Sequence, residues 1–147
     1  MNKTVRAVIA VIILIILAFV LLGNPMIINH NRQLQKAILN AAGESSMTLE
    51  ELVPFDWDTA YCFGPDTDKA DIEQAIGVKS GSISRGVKDG MLKLVFVNGG
   101  VVTASLTCDL GGKSGCCVSF DGAISCGSYT PLFVSYENGI VVMTLEE

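Results

Sequence analysis

The chain opens with its longest unbroken run of apolar residues. Residues 7–22 form a stretch of sixteen residues without a charge or a strong hydrogen-bonding side chain, and Lys3 and Arg6 precede it. As a helix this run would rise about 24 Å, close to the roughly 30 Å core of a bilayer once its neighbours lengthen it. The pattern predicts a transmembrane helix that anchors the protein through residues 1–23.

Two other interpretations compete for the same run. A cleaved signal peptide would also carry a basic start, but no A-x-A pattern follows residue 22, and no cysteine stands there to accept a lipid. A buried helix of a soluble protein would rarely place the most apolar stretch at the extreme N-terminus behind two cations. An uncleaved anchor is therefore the preferred interpretation.

Helical periodicity follows the apolar run. Leu34, Ile38 and Ala41 share one face of a predicted helix that ends at Gly43. Residues 24–47 are therefore predicted to form a helical stalk, or a helix that packs on the domain.

Two more short helices carry recognisable start or stop signals. Thr48 and Glu51 have the spacing of a capping box, in which each residue caps the other's backbone. Further on, Ile72 and Ile76 form the apolar stripe of a helix that Gly77 closes.

Strand patterns dominate the rest of the chain. Residues 55–63, FDWDTAYCF, alternate an aromatic face with a small and polar face. Three dipeptides with type I′ turn chemistry, at 98–99, 121–122 and 138–139, separate runs rich in β-formers. The predicted fold class is α+β: an N-terminal transmembrane helix, then an antiparallel sheet of six or seven strands built from hairpins, with two or three short helices. The extracytoplasmic domain is predicted to span residues 48–147.

The chain contains five cysteines, and the turn at 121–122 suggests how two of them pair. A two-residue turn there would place Cys117 opposite Cys126 at a non-hydrogen-bonded position, where Cα atoms lie about 4.5 Å apart. Outside the membrane such a pair would be oxidised. A disulfide between Cys117 and Cys126 is predicted, although a longer turn would bring Cys116 opposite Cys126 instead.

The remaining cysteines allow a second disulfide between Cys108 and Cys116, with Cys62 as the unpaired thiol. Zinc binding by the group at 108, 116, 117 and 126 is the alternative, but the spacing lacks a C-x-x-C pair and no histidine joins it. No metal or other cofactor is therefore assigned.

The charge pattern bears on partners and location. The formal charge is −5, and from residue 24 onward eight Lys or Arg residues stand against fifteen Asp or Glu residues, a formal charge of −7. No basic patch with interleaved aromatics occurs, so nucleic acid is disfavoured as a partner. Lys3 and Arg6 favour a cytoplasmic N-terminus, which places the C-terminal domain outside a cell membrane.

Few residues offer catalytic chemistry. Asp56 and Asp58 share one face of the predicted strand and could act as paired carboxylates, whereas a solvated strand face is the simpler explanation. The only histidine is His30, which is more typical of a capping or interfacial position. No nucleophile elbow or P-loop spacing occurs.

The segment ELVPFDWDTAYCFGPDTDKADIEQAIG, residues 51–77, resembles an uncharacterised family of small bacterial proteins, mostly Gram-positive, that are membrane-anchored and extracytoplasmic. Their pattern is P-F-x-W-D-x-x-Y-x-F-x-P-x-T followed by a short helix. The match covers under a fifth of the chain, and this sequence departs from the pattern at Asp66 and in its cysteines. The resemblance implies location and fold, and it implies no activity.

Three functions remain open from the sequence. The first is a binding or interaction module that a single-span envelope protein presents, with the membrane and an envelope protein as its partners. The second is an extracytoplasmic enzyme that uses Asp56 and Asp58. The third is a thiol-redox protein that uses the cysteine cluster. The scarcity of catalytic parts favours a function other than catalysis.

Overall fold

The computed structural model describes residues 2–112 and 115–145, with the backbone alone for residues 19–22. Its α-helices are α1 (Lys3–Leu22), α2 (Pro25–Asn40), α3 (Leu49–Leu52) and α4 (Lys69–Ile76). A single 3-10 turn covers Ala41–Gly43. Its strands are β1 (Ser46–Thr48), β2 (Thr59–Phe63), β3 (Met91–Asn98), β4 (Val101–Asp109), β5 (Cys116–Ser119), β6 (Ala123–Ser125), β7 (Pro131–Glu137) and β8 (Ile140–Leu145).

The predicted transmembrane helix is wrong. Among the described residues, none of the helices combines the length and the apolar character that crossing a membrane requires. The uncharged run of sixteen residues spans only about 24 Å as a helix, and a bilayer core measures roughly 30 Å. Helix α1 then ends at Gly23, whose φ of +79° interrupts the helical backbone before α2 begins.

The strands form two four-stranded sheets rather than the single antiparallel sheet of six or seven strands that the sequence predicts. One sheet has the order β1-β7-β8-β5 and the other the order β4-β3-β2-β6. Strands β5 and β8 pair in parallel, while the other pairs are antiparallel. The α+β composition is as predicted, but the sheet arrangement is not, because a turn signal specifies only a local reversal of the chain.

The β4-β3-β2-β6 sheet is covered on both faces. Leu94 and Phe96 of β3 pack into a core shared with the other sheet and with α2. Val95 and Val97, on the opposite face, pack against the apolar stripe of α4. Burial on both faces explains why β3 is almost continuously apolar, since a strand with one solvated face would alternate.

The three turn signals have different outcomes. Asn138 (φ +51°) and Gly139 (φ +82°) join β7 to β8 as predicted. Between β3 and β4 the pairing of Asn98 with Val101 places the two-residue turn at Gly99–Gly100, one position later than predicted.

The third signal, at 121–122, does not make a hairpin. Strand β5 pairs with β8 in one sheet, and β6 pairs with β2 in the other. Of Asp121 and Gly122 only the glycine has a positive φ, whereas a type I′ turn needs positive φ at both positions. Cys117 and Cys126 therefore do not face each other across a hairpin, and the predicted 117–126 disulfide is wrong.

Local capping signals are confirmed. The Thr48 backbone N–H donates to the Glu51 carboxylate at 2.8 Å, and the Glu51 N–H donates to the Thr48 hydroxyl at 3.3 Å, which completes the capping box. These hydrogen bonds lower the pKa of Glu51 because they favour its ionised form. Gly77 closes α4 in the left-handed conformation with φ +73°, as predicted.

Helix α2, within the predicted stalk, packs along the edge strand β4. It begins at Pro25 behind the Asn24 cap, and it buries Leu34 and Ile38 in the core. The Asn31 side-chain amide donates to the Ser105 carbonyl and accepts from the Ser105 N–H, both at 2.9 Å. This side chain therefore takes the place of a neighbouring strand and satisfies the open edge of the sheet.

Candidate functional site

The predicted carboxylate pair lies just before β2 rather than within it, because the strand begins at Thr59. The Asp58 carboxylate accepts a hydrogen bond from the Gly99 N–H at 2.7 Å, which ties it to the β3–β4 turn. The Asp58 backbone also bonds to Val97 and Cys126. Asp58 is therefore a structural residue that joins three parts of one sheet.

Asp56 has a different environment. It is exposed and lines a pocket of about 230 Å³. The pocket also exposes Glu50 and Cys126, and Asp58 is not among its lining residues. The structure thus offers Glu50 as the carboxylate that shares a pocket with Asp56, a partner that strand alternation could not indicate. The use of Asp56 and Asp58 as a catalytic pair stays a prediction.

His30 serves to dock α2 onto the sheet. Its Nδ1 lies 2.8 Å from the Thr103 carbonyl oxygen, so this nitrogen carries the proton and donates. The imidazole stacks on Phe55 with ring centroids 4.3 Å apart and an interplanar angle of 7°. His30 is not a helix cap, because α2 begins five residues earlier at Pro25.

The most distinctive cluster of reactive groups joins β4 to β5. Cys108 lies near the end of β4 opposite Leu92, and Cys116 and Cys117 are the first two residues of β5. Cys108 and Cys116 are fully buried, and Cys117 exposes only 5% of its surface. The thiols of Cys116 and Cys117 both hydrogen-bond to the Cys108 sulfur. We call these three residues the thiol cluster.

The thiol cluster separates the acidities of its members. Hydrogen bonds from Cys116 and Cys117 favour a Cys108 thiolate and lower its pKa to about 4, against the opposing effect of burial. The same hydrogen bonds hold the protons of Cys116 and Cys117 and, together with burial, raise their pKa values. The arrangement therefore favours ionisation of Cys108 ahead of Cys116 and Cys117.

Among the described residues no disulfide is formed, which overturns the predicted disulfides, including that between Cys108 and Cys116. Cys62 is half-buried, its thiol points to the Val118 carbonyl at 3.6 Å, and burial raises its pKa. Cys126 is exposed beside Asp56. Among residues 2–112 and 115–145, histidine, cysteine and carboxylate side chains form no group of three or more that could hold a metal ion.

Comparison of the chain with models of protein families, with curated proteins and with solved structures finds no match. The resemblance of residues 51–77 to a family of envelope proteins stays a prediction.

The sequence analysis missed one residue that the fold makes conspicuous. Lys93 interrupts the apolar strand β3, and only 5% of its surface is exposed. Lysine is almost never buried to this degree without a partner of opposite charge. A single lysine inside an otherwise apolar strand was the available signal.

Proposed function

We propose that the protein is an interaction module that docks through α1 onto apolar surfaces of a partner protein and thereby presents its α+β domain. The observation that carries this proposal is the exposure of the apolar side chains of α1. Val8 is 56% exposed, Leu14 69% and Leu17 54%. The domain's own core is formed without them.

The exposed surface surrounds the helix. At 100° per residue, Val8, Ile9 and Leu14 point in three directions separated by about 100° to 140°. Each of them is more than 40% exposed. A helix that is apolar on all sides is normally buried, and exposed apolar patches beyond a few hundred Å² mark interaction sites. Several helices of a partner, rather than one flat groove, would cover such a surface.

The α+β domain has properties that suit a module held in solvent by α1. Its acidic character, with a formal charge of −7 from residue 24 onward, favours solvation and opposes self-association. The polar groups expected for catalysis have structural roles, since Asp58 holds a turn and His30 holds α2. Binding through α1 therefore explains more of the chain than catalysis does.

The test places a photo-crosslinking amino acid at Val8, Ile9 or Leu14 of the full chain, in its native cells. We expect all three positions to crosslink to the same partner polypeptide, because the partner must surround the helix. Gln33, exposed on α2, is the matched control and should give no such product. Adducts with lipid alone, or equal crosslinking from Gln33, would contradict the proposal.

Thiol chemistry at Cys108 is the second candidate, and the lowered pKa of this residue supports it. A thiolate at neutral pH is nucleophilic, but complete burial requires the cluster to open before a reagent can reach it. Alkylation of the full chain by iodoacetamide at pH 6 tests this candidate. Modification of Cys108 ahead of exposed Cys126 would support it, and modification only after denaturation would contradict it.

A further inference from the structure

A basic pocket of about 280 Å³ lies between the loop that precedes β3 and the β3–β4 hairpin. Its polar lining comes from Ser84, Arg85, Gly86, Lys88, Lys93 and Thr107. We call it the lysine pocket. Three of the eight Lys and Arg residues that follow residue 23 converge here, in a part of the chain that is otherwise acidic.

Lys93 forms the buried end of the pocket. It pairs with Thr107 of β4 in the sheet register, so that both side chains project from the same face. Its ammonium donates to the Arg85 carbonyl oxygen at 2.6 Å. An ammonium has three N–H donors, and no other hydrogen bond from Lys93 to a described residue is found. Burial, with a smaller contribution from the Arg85 charge, lowers its pKa.

None of the described residues that line the pocket is acidic. Among the described residues, the ion pair found within 4 Å is that of Lys69 with Glu73, on α4, and it involves none of the three pocket cations. Asp109 is the nearest carboxylate in the sheet register, opposite Met91, but it does not line the pocket, and its Oδ1 accepts from the Gly111 N–H. Buried cations are normally paired, so the geometry leaves room for an anion from outside the chain.

The loop is fixed in place by the fold. The Val87 N–H donates to the Thr67 carbonyl at 2.8 Å, and the Asp66 N–H donates to the Val87 carbonyl at 3.0 Å. A Cβ added at Gly86 would lie 2.4 Å from the Thr67 oxygen, so only glycine permits this close approach. The backbone between Arg85 and Lys88 is therefore held in place beside the pocket.

We propose that the lysine pocket binds a phosphoryl group, either inorganic phosphate or the phosphomonoester end of a small molecule. Lys93 supplies a charged donor at the base, and the Arg85 guanidinium offers paired N–H donors that match phosphate oxygens. Lys88 adds charge at the exposed rim, and Ser84 and Thr107 offer hydroxyl donors. The volume lies just below the range of typical ligand pockets, which limits the organic part to a small one. This inference does not depend on the proposed role of α1.

Calorimetric titration of the full chain with inorganic phosphate tests the proposal, with glycerol phosphate and acetate as parallel ligands at equal ionic strength. We expect saturable binding of phosphate or its ester, and at least tenfold weaker binding of acetate. Tighter binding of the ester would identify a phosphomonoester as the ligand, and tighter binding of phosphate would identify the free ion. Failure of both to bind, or equal binding of acetate, would overturn the proposal.

Three variants make the test specific to this pocket. Lys93→Met should weaken phosphate binding at least tenfold, and Lys88→Gln, at an exposed position, should weaken it several-fold. Lys79→Met removes an exposed lysine elsewhere and should leave the affinity unchanged. If Lys88→Gln and Lys93→Met bind phosphate as tightly as the unaltered protein, the proposal is overturned. It is also overturned if Lys79→Met loses as much affinity as they do, because the binding would then reflect the overall charge of the protein.

Discussion

The thiol cluster and the lysine pocket occupy opposite faces of the same pair of strands. Cys108 pairs with Leu92, and the adjacent pair of Lys93 with Thr107 projects to the other side. Each region contains a buried ionisable group whose pKa is lowered, Cys108 in one and Lys93 in the other. The shift favours charge on Cys108 but disfavours it on Lys93. A lowered pKa favours the deprotonated form, which is the charged thiolate of a cysteine but the neutral amine of a lysine.

The difference lies in what surrounds each charge. The Cys108 thiolate receives hydrogen bonds from two neighbouring thiols, so the chain itself supplies its partners. The Lys93 ammonium has one carbonyl acceptor and a second cation nearby. A buried charge with internal partners belongs to the architecture, whereas a buried charge without a counter-charge indicates a site that is completed by a ligand.

The largest effect is expected from the core on one face of β3, the strand that contributes to both regions. Trp57 is 7% exposed and packs edge-on against Phe96 of β3, with ring centroids 5.5 Å apart. Trp57→Ala should reduce the free energy of unfolding by about 3–5 kcal/mol, as for other large core deletions. Denaturant unfolding measures this loss. A folded variant with an unchanged melting temperature would refute the core role of Trp57.

The next effect separates the regions by their pH dependence. The pKa of Cys108 in the folded protein, about 4, lies below that of an unfolded thiol, about 8.5. Between these values the unfolded chain binds more protons, so the free energy of unfolding should rise with pH by up to about 1.4 kcal/mol per unit. This contribution is complete above the unfolded pKa and is lost as the pH falls through the folded value.

Unfolding by urea between pH 5 and 8, under reducing conditions, measures the slope. Cys108→Ala should flatten it, and Cys126→Ala, which removes an exposed thiol, is the matched control. An identical slope in Cys108→Ala would mean that the cluster holds no thiolate. The raised pKa values of Cys116 and Cys117 should reverse the slope above the unfolded thiol pKa, because the unfolded chain then loses protons more readily.

A smaller effect tests whether the lysine pocket depends on its loop. Gly86→Ala forces a methyl group towards the Thr67 carbonyl and should cost about 1–3 kcal/mol, the usual range for overpacking. The affinity for phosphate should also fall, while the rise of the free energy of unfolding with pH that Cys108 causes should remain. Gly81→Ala, where a Cβ meets no atom within 4 Å, is the control in the same segment. Loss of the slope in Gly86→Ala would show that the two regions are not independent.

The smallest effect has the opposite sign. Lys93→Met removes a buried ammonium that lacks a counter-charge, so at neutral pH without phosphate it should raise the free energy of unfolding by about 1 kcal/mol. Saturating phosphate should stabilise the unaltered protein and not the variant. A comparison of urea midpoints with and without phosphate measures both effects. Clear destabilisation by Lys93→Met without phosphate would mean that the lysine is a structural partner of the Arg85 carbonyl.

The sequence correctly predicted those features of the fold that depend only on residues close together in the chain. The Thr48–Glu51 capping box, the Gly77 helix end and the turn at Asn138–Gly139 are confirmed because each is specified within a few positions. Trp57, on the aromatic face of the 55–63 alternation, is buried, since a large aromatic side chain on an apolar face has few alternatives.

Long-range pairing decided the features that the sequence did not predict. Strand β5 pairs with β8, more than twenty residues away, instead of closing a hairpin through Asp121 and Gly122. The sequence analysis grouped Cys108, Cys116 and Cys117 but expected disulfides among them, because the strand pairing that brings them together as thiols is not encoded locally. Lys93 was missed for a related reason. The groups around its ammonium come from the loop before β3, and the strand pattern does not encode the position of that loop.

The amide of Asn31 has a consequence for any shortened form of this protein. The nine-residue strand Val101–Asp109 is an edge, and its backbone groups at Thr103 and Ser105 bond to side chains of α2. A fragment that begins at residue 48, where the sequence alone would place the domain boundary, would leave this edge bare. Two such fragments could then join strand to strand into a continuous intermolecular sheet. A fragment that remains dispersed during expression and purification must therefore begin ahead of Pro25.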